Sequence, residues 1–532
     1  MIMLACTKSN TLLILLIFSN FSFAQIKPIT KAKDSTKYIH IMYADHAATN
    51  EKYPRKQLLS GNVQIEHNGG LLYCDKALVD KQENTAVAIG NVRLEQGDTI
   101  HMQAGYIKYN GNTSFAEAFQ HVILTDPKMS LQTDTLYYNR NIQEAYYTSG
   151  GKIRDSISTL NSKIGRYLLN ENKFVFINNV HVENPDYKID SYQLNYFTDS
   201  GISNFYGPTK IYNQKSYIYA EKGHYDAKQK ISWFVKNAFI KHKNTSLKAD
   251  SLYYDQNIEY ATGTHNVVVY DSIQHSWIYS NYAQRWTNKD SVRVSGQPLV
   301  ISIKEKDTLY MRAQQFITAG KKGGQKLWAF KKVKFFSNDF SGRTDSLYRD
   351  ETQHIMKLET TPVIWSGDSQ ITGNKILIKN DSLQNLDSLI IPKKVFIIQR
   401  DSSGGFNQIK GKKLLGKFIE QNLKTIDLYG NTEVIYYLHE DSGELMGIEK
   451  NKSSHIFIEF KQNTISTIRF YEKPDGTIYP PEKLLEKDKK FKNFKWLGDQ
   501  IINKKEDVID DAKITFSAVT LQKSTSKEKE NN

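Results

Sequence analysis

A unit of about 30 residues recurs from the N-terminal region of this chain to well past its middle, and no other feature limits the fold so tightly. One half of the unit reads Gly61-Asn62-Val63-Gln64-Ile65, then Gly90-Asn91-Val92-Arg93-Leu94, then His121-Val122-Ile123-Leu124. The other half reads Ala249-Asp250-Ser251-Leu252-Tyr253-Tyr254, matched by Thr133-Asp134-Thr135-Leu136-Tyr137-Tyr138 and more loosely by Cys74-Asp75-Lys76-Ala77-Leu78. A unit this short cannot bury its own apolar face and must stack on its neighbours. Function then belongs to a long stacked surface rather than to a compact pocket.

Two markers keep the same period. The position ahead of the second half falls at 74, 104, 133, 189, 220 and 249, with a degenerate copy near Ser162-Lys163-Ile164. The apolar residue of the first half falls at Val63, Val92, Val122, Ile153, Val180 and Ile211, and more loosely at Val267, Leu299, Val333, Val363, Val395 and Val434. Val63-x-Ile65, Val92-x-Leu94, Val180-x-Val182 and Val267-x-Val269 alternate apolar with polar, as half-buried strands do. Asn68-Gly69-Gly70, Gly97-Asp98 and Asn110-Gly111-Asn112 read as turns between strands. The expectation is an all-β, elongated repeat of stacked antiparallel strands with a short mixed or helical C-terminal segment. A signal peptide spans 1–24, regular repeats 25–300 and a divergent continuation 301–480. A charged segment, helical over Glu482 to Lys492, spans 481–520, and a disordered tail 521–532.

Lys8, the apolar run Thr11 to Phe18 and the small residues Ser22-Phe23-Ala24 form a cleavable export signal, with Gln25 as the mature start. The apolar run is too short to span a bilayer. Cys6 leaves with the signal, so Cys74 stands alone, and its repeat position makes it a small buried filler rather than a reactive thiol. Hydrophobic residues make up 39% and aromatic residues 12%, with 32 Tyr, at a mean hydropathy of −0.54. That is too aromatic for disorder and too polar for a membrane protein, and it suits sheets wet on one face. The formal charge of +14 is spread along the chain, which favours edge protection by Lys over a binding patch. No nucleic-acid partner is expected.

The search for catalysis returns nothing specific. Gly405 to Lys412 has the wrong spacing for a phosphate loop, with Lys413 where Ser or Thr belongs. The histidines lack ligand spacing, and His67, His121, His181 and His265 read as surface or edge residues. The Asp-Ser and Asp-Thr pairs recur at a structural phase and read as turn caps. No catalytic residue, cofactor or metal is expected. The pattern leaves two interiors open: a dry core, or a folded sheet whose inner face receives a long apolar ligand.

Leu59-Ser60-Gly61-Asn62-Val63, Leu72-Tyr73-Cys74-Asp75-Lys76-Ala77, Gly90-Asn91-Val92, Gly97-Asp98-Thr99 and Ala104-x-x-Ile107-x-Tyr109 together resemble the organic-solvent-tolerance (OstA-like) family of periplasmic lipopolysaccharide-transport proteins. The resemblance is good from about 35 to 300 and weaker to about 470. It implies a β-jellyroll bent into a V (a β-taco) whose groove carries lipopolysaccharide acyl chains. It implies a periplasmic location, with the outer membrane as a place of attachment. It also implies partner jellyrolls added edge to edge. The inward candidates for lipid contact are Val63, Ile65, Val92, Leu94, Val122, Leu124, Val180 and Val182. The rival expectations are an envelope scaffold with a closed β-solenoid core that binds proteins through its edges, and a polysaccharide-processing β-solenoid enzyme.

Overall fold

The computed structural model describes residues 38–509 apart from 51–52, 97–99, 126, 128, 274, 305–306, 322–323, 339, 383–384, 421 and 462–463. The export signal and the 521–532 tail lie outside the described residues. The chain divides into two compact units, Thr7–Gly263 and a second that runs from Thr264 to the C-terminus. Both are built from antiparallel strands.

In the first unit, Tyr53–His67, Gly70–Asp80, Thr85–Gln96, Ile100–Asn110, Phe115–Thr125 and Ser130–Asn139 pair in chain order. Every second strand carries one extra residue at one phase, so that two residues face one. Gly61-Asn62 oppose the single residue Asp75, Gly90-Asn91 oppose Gly105, and Gln120-His121 oppose Asp134. Asn178-Asn179 and Lys236-Asn237 repeat the arrangement further on. All ten of these residues have φ between +44° and +79°. Gly and Asn tolerate that left-handed region best, which is why Gly-Asn recurs in the repeat. A pair of this kind bends the strand, so each strand contributes to two walls.

The bend revises the roles that the pattern assigns. Gly61-Asn62 lies in mid-strand, within Tyr53–His67. The acids of the Asp-Ser and Asp-Thr pairs stand opposite the bend rather than capping turns. Asp75 accepts from Asn91 Nδ2 at 2.8 Å, and Asp45 accepts from Asn62 Nδ2 at 3.0 Å. Turn capping falls to Asx residues at the strand ends. Asp80 accepts from the N–H groups of Gln82 and Glu83, as Asn110 does from Asn112 and Thr113, and Asp226 from Lys228 and Gln229. At the opposite strand ends, Asn68-Gly69 is a two-residue turn with φ of +51° and +78°, the primed type that suits twisted strands.

The small-residue position also shifts. Val180 pairs with Ser191 as Val63 pairs with Cys74 and Val122 with Thr133, so Ser191 holds the phase, not Ile189. The Ser191 and Ser162 hydroxyls each donate to the carbonyl two residues on, across the bend, at 3.0 Å.

In the second unit the bend recurs at Lys331-Lys332 and Gly430-Asn431, opposite Asp345 and Ser454. Val333 and Phe335 follow the first bend as Val63 and Ile65 follow theirs. Val363 pairs with Arg343, however, and that places it and Trp365 on the outer face. There they meet residues from 480 onward. The charged run forms 3-10 turns at Pro481–Lys483 and Glu486–Lys489 rather than a helix, and one α-helical turn follows at Glu506–Ile509.

The bend is open to a direct test. Asn91→Val places a β-branched residue at φ +44° and removes the bond to Asp75. Chemical denaturation should show a loss of about 1–3 kcal/mol. Asn91→Gly should lose less, because Gly keeps the backbone conformation.

Candidate functional site

The two walls face each other across one apolar interior. Leu59, Val79 and Ile107 from one side of the bend cluster with Val63, Leu72 and Val122 from the other. Of the eight inward candidates, Val63, Ile65, Val92, Val122, Val180 and Val182 are exposed by 4% or less. Leu94 and Leu124 are half-buried and pack on the same cluster. Their neighbours Arg93 and His181 point the other way, Arg93 to solvent and His181 to Asp190 at 2.7 Å on the adjacent strand.

The free ends of the walls also meet. His67 Nδ1 lies 2.6 Å from the Tyr109 hydroxyl, and Arg140 Nη1 donates to the Asn68 carbonyl at 3.5 Å. His67 and Asn68 end one wall; Tyr109 and Arg140 end the other. These contacts form a seam opposite the bend and enclose the interior at that level. His67 is therefore a buried seam residue, not the surface residue that the sequence suggests. A signal for the seam exists in the repeat, since Tyr109, Tyr138, Tyr167, Tyr196, Tyr225 and Tyr254 keep a regular spacing. Burial raises the phenol pKa of Tyr109, Tyr138, Tyr196 and Tyr225, which keeps them neutral donors beside apolar side chains.

The interior is not filled throughout. A cavity of only about 30 Å³, roughly the share of one water molecule, is lined by Met129, Ile153, Leu160, Phe174, Phe176 and Val182. Its polar rim is Asp155, Ser158 and Tyr196. Asp155 is spent on its own loop, accepting from the Ile157 and Ser158 N–H groups at 2.8 and 2.6 Å. Nearby, Tyr147 fills the interior where Gly151 and Gly165 leave room, and its hydroxyl lies 2.7 Å from Ser162 Oγ. As it stands the cavity has room for about one small molecule such as water, so a longer apolar chain would need the walls to part. Among the described residues, no group of three His, Cys, Asp or Glu side chains is placed to hold a metal ion.

Residues 36–192 match the family model described as OstA-like protein. Over these residues the chain is similar to the OstA-like family. An 88-residue stretch is 36% identical to the LPS-assembly protein LptD of Acinetobacter baumannii, covering 16% of this chain. The chain spans only 10% of that curated relative's length. Among solved structures, LptH of Pseudomonas aeruginosa, the LptA-homologous periplasmic component of a lipopolysaccharide transport device, is 16% identical. The match covers 20% of this chain and 81% of LptH, with a TM-score of 0.19. The OstA-like match contains His67, Tyr109 and Arg140 of the seam, the lining of the small cavity apart from Tyr196, and all eight inward candidates.

Cys74 occupies its small-residue position inside this domain as a buried free thiol, and burial pushes its pKa up to about 11. Roughly one thiol in a thousand is then ionised at pH 8, so alkylation should be very slow in the folded chain. Mass spectrometry should show rapid labelling only after denaturant is added.

Proposed function

We propose that this protein binds lipopolysaccharide or a related phosphorylated glycolipid and carries it through the periplasm towards the outer membrane. The acyl chains lie against the inward residues, including Val63, Ile65, Val92, Leu94, Val122, Leu124, Val180 and Val182. The observation that carries the reading is the continuous apolar interior between the two walls, in which six of the eight inward candidates are exposed by 4% or less. Sheltering an acyl chain gains about 0.8 kcal/mol per CH₂ group, while the sugar head stays in water. Entry requires the seam at His67 and Tyr109 to part. Export rests on the leader at 1–24, and jellyrolls of the same family are the partners, joined through strand edges. The chain performs no chemistry on its cargo.

The enclosing seam also favours a second reading, an envelope scaffold whose closed interior is structural and whose partners are proteins. A photocrosslinking residue at Leu94, Leu124 or Val182, with Arg93 as the outward control, separates the two. The transport reading expects glycolipid adducts from the three inward positions and few from Arg93. Protein adducts alone, or equal lipid labelling at Arg93, would overturn it.

The seam makes its own prediction. In a Cys74→Ala background, cysteines replacing His67 and Tyr109 should be bridged by a short bifunctional thiosulfonate reagent that holds the walls together through reducible bonds. Glycolipid adducts at Val92 should fall at least tenfold when the bridge is in place and return on reduction.

A further inference from the structure

The second unit carries an apolar wall on its outside. Trp365 pairs across the strands with Gln370, Gln370 with Ile398, Ile398 with Gln408, and Gln408 with Ile435. Direct cross-strand partners share a face, so these residues form one row. Their neighbours Ile364, Ile371, Ile397, Ile409 and Val434 form the inner row. Both rows are largely apolar, whereas the first unit shows charged residues such as Arg93 and Lys210 outside.

Residues 484–508 cover this outer row as a strap. Leu484 packs with Ile435, Tyr437 and Ile448; Leu497, Ile502 and Val508 pack with Leu299, Val363 and Trp365. Between them, Phe494 and Trp496 flank the Phe406 ring at 5.0 and 5.4 Å. The strap's backbone is held by two glutamines that are 1% and 0% exposed. Gln370 donates from Nε2 to the Lys495 carbonyl at 2.9 Å and accepts from the Leu497 N–H at 2.9 Å. Gln408 donates to the Lys489 carbonyl at 2.8 Å and accepts from the Phe491 N–H at 3.0 Å.

A carboxamide offers the same donor and acceptor as a peptide group, so each glutamine engages residues two apart as a neighbouring strand would. The two clamps are spaced six residues apart along the strap. Lys450 Nζ also donates to the Asp488 carbonyl at 2.9 Å, and the strap's backbone–backbone bonds are local, as from Asp488 to Leu485, Phe494 to Phe491 and Gln500 to Leu497; among the described residues none joins the strand ladder. Side-chain clamps can release a segment without breaking a sheet.

We propose that this wall is a peptide-binding groove, occupied in cis by the strap. The partner it fits is an extended segment with apolar side chains at the strap's spacing. Backbone bonds to Gln370 and Gln408 set its register, and the apolar anchors set its identity. The groove lies on the outer face of the second unit's own wall, behind its inner row, and does not depend on the lipid-binding reading.

The test keeps the full chain. A protease site is inserted between Pro480 and Pro481, the folded protein is cut, and a fluorescent peptide of sequence 481–509 is added. Anisotropy should show the peptide replacing the resident strap, with a scrambled peptide failing to do so. A peptide N-methylated at Leu497 loses the N–H that Gln370 accepts, and one with Phe491→Ala and Leu497→Ala loses two anchors. Each should bind the unaltered protein at least tenfold more weakly. No exchange after cutting, equal binding of the scrambled peptide, or no loss from N-methylation would overturn the proposal.

Discussion

A two-residue bend, most often a pair of consecutive left-handed residues, recurs in alternate strands and thereby makes an interior. A straight strand of eleven or twelve residues would place its two ends roughly 35 Å or more apart and bury one flat face at most. With the bend, Leu59 and Val63 of one strand face each other across a core only four residues apart in sequence. The seam follows from the same geometry, because only bent strands bring His67 to Tyr109. Local cost is spread along the bend. Gly removes the steric penalty, Asn lowers it and bonds to the acid on the neighbouring strand, and small hydroxyls take up carbonyls beside it.

The repeat and its strand content were legible because both rest on local pattern, with apolar alternation for the walls and Asn-Gly for the short turns. The burial of Val63, Val92 and Val180 was legible for the same reason. The bend was not, since Gly-Asn reads equally as a turn or as an interruption, and only the pairing of Ser60 and Val63 with Lys76 and Cys74 distinguishes them. Phase errors followed where a bend is written in other residues. Thr360 and Thr361, at φ +64° and +55°, stand where Gly-Asn stands elsewhere, so Val363 imitates an inward residue while facing out. A slip of one residue exchanges the faces of a strand.

The second unit shows what such a slip concealed. Val395-Phe396-Ile397-Ile398 and Val434-Ile435 are apolar on both faces, the signature of a strand covered twice. One cover is the facing wall. The other comes from the strap, whose residues look like a charged tail because its lysines alternate with Phe491, Phe494 and Trp496. Lys410 Nζ lies 4.3 Å from the Phe491 ring and Lys450 donates to the Asp488 carbonyl, so basic residues on the wall contribute to holding a basic segment. Charge density in a sequence does not separate a solvated tail from a strap whose aromatic residues are anchored.

An enclosed interior and a lipid cargo are compatible on energetic grounds. The seam contacts at His67 and Arg140 contribute about 1 kcal/mol each, as ordinary hydrogen bonds do. An acyl chain of about a dozen CH₂ groups gains roughly 10 kcal/mol on leaving water. Prising the walls apart exposes apolar side chains, but an incoming chain covers them again, so that cost falls mainly on the path rather than on the bound state. A wall of Val and Ala that closes on itself when empty avoids presenting an open apolar groove to other proteins, a surface that otherwise invites aggregation.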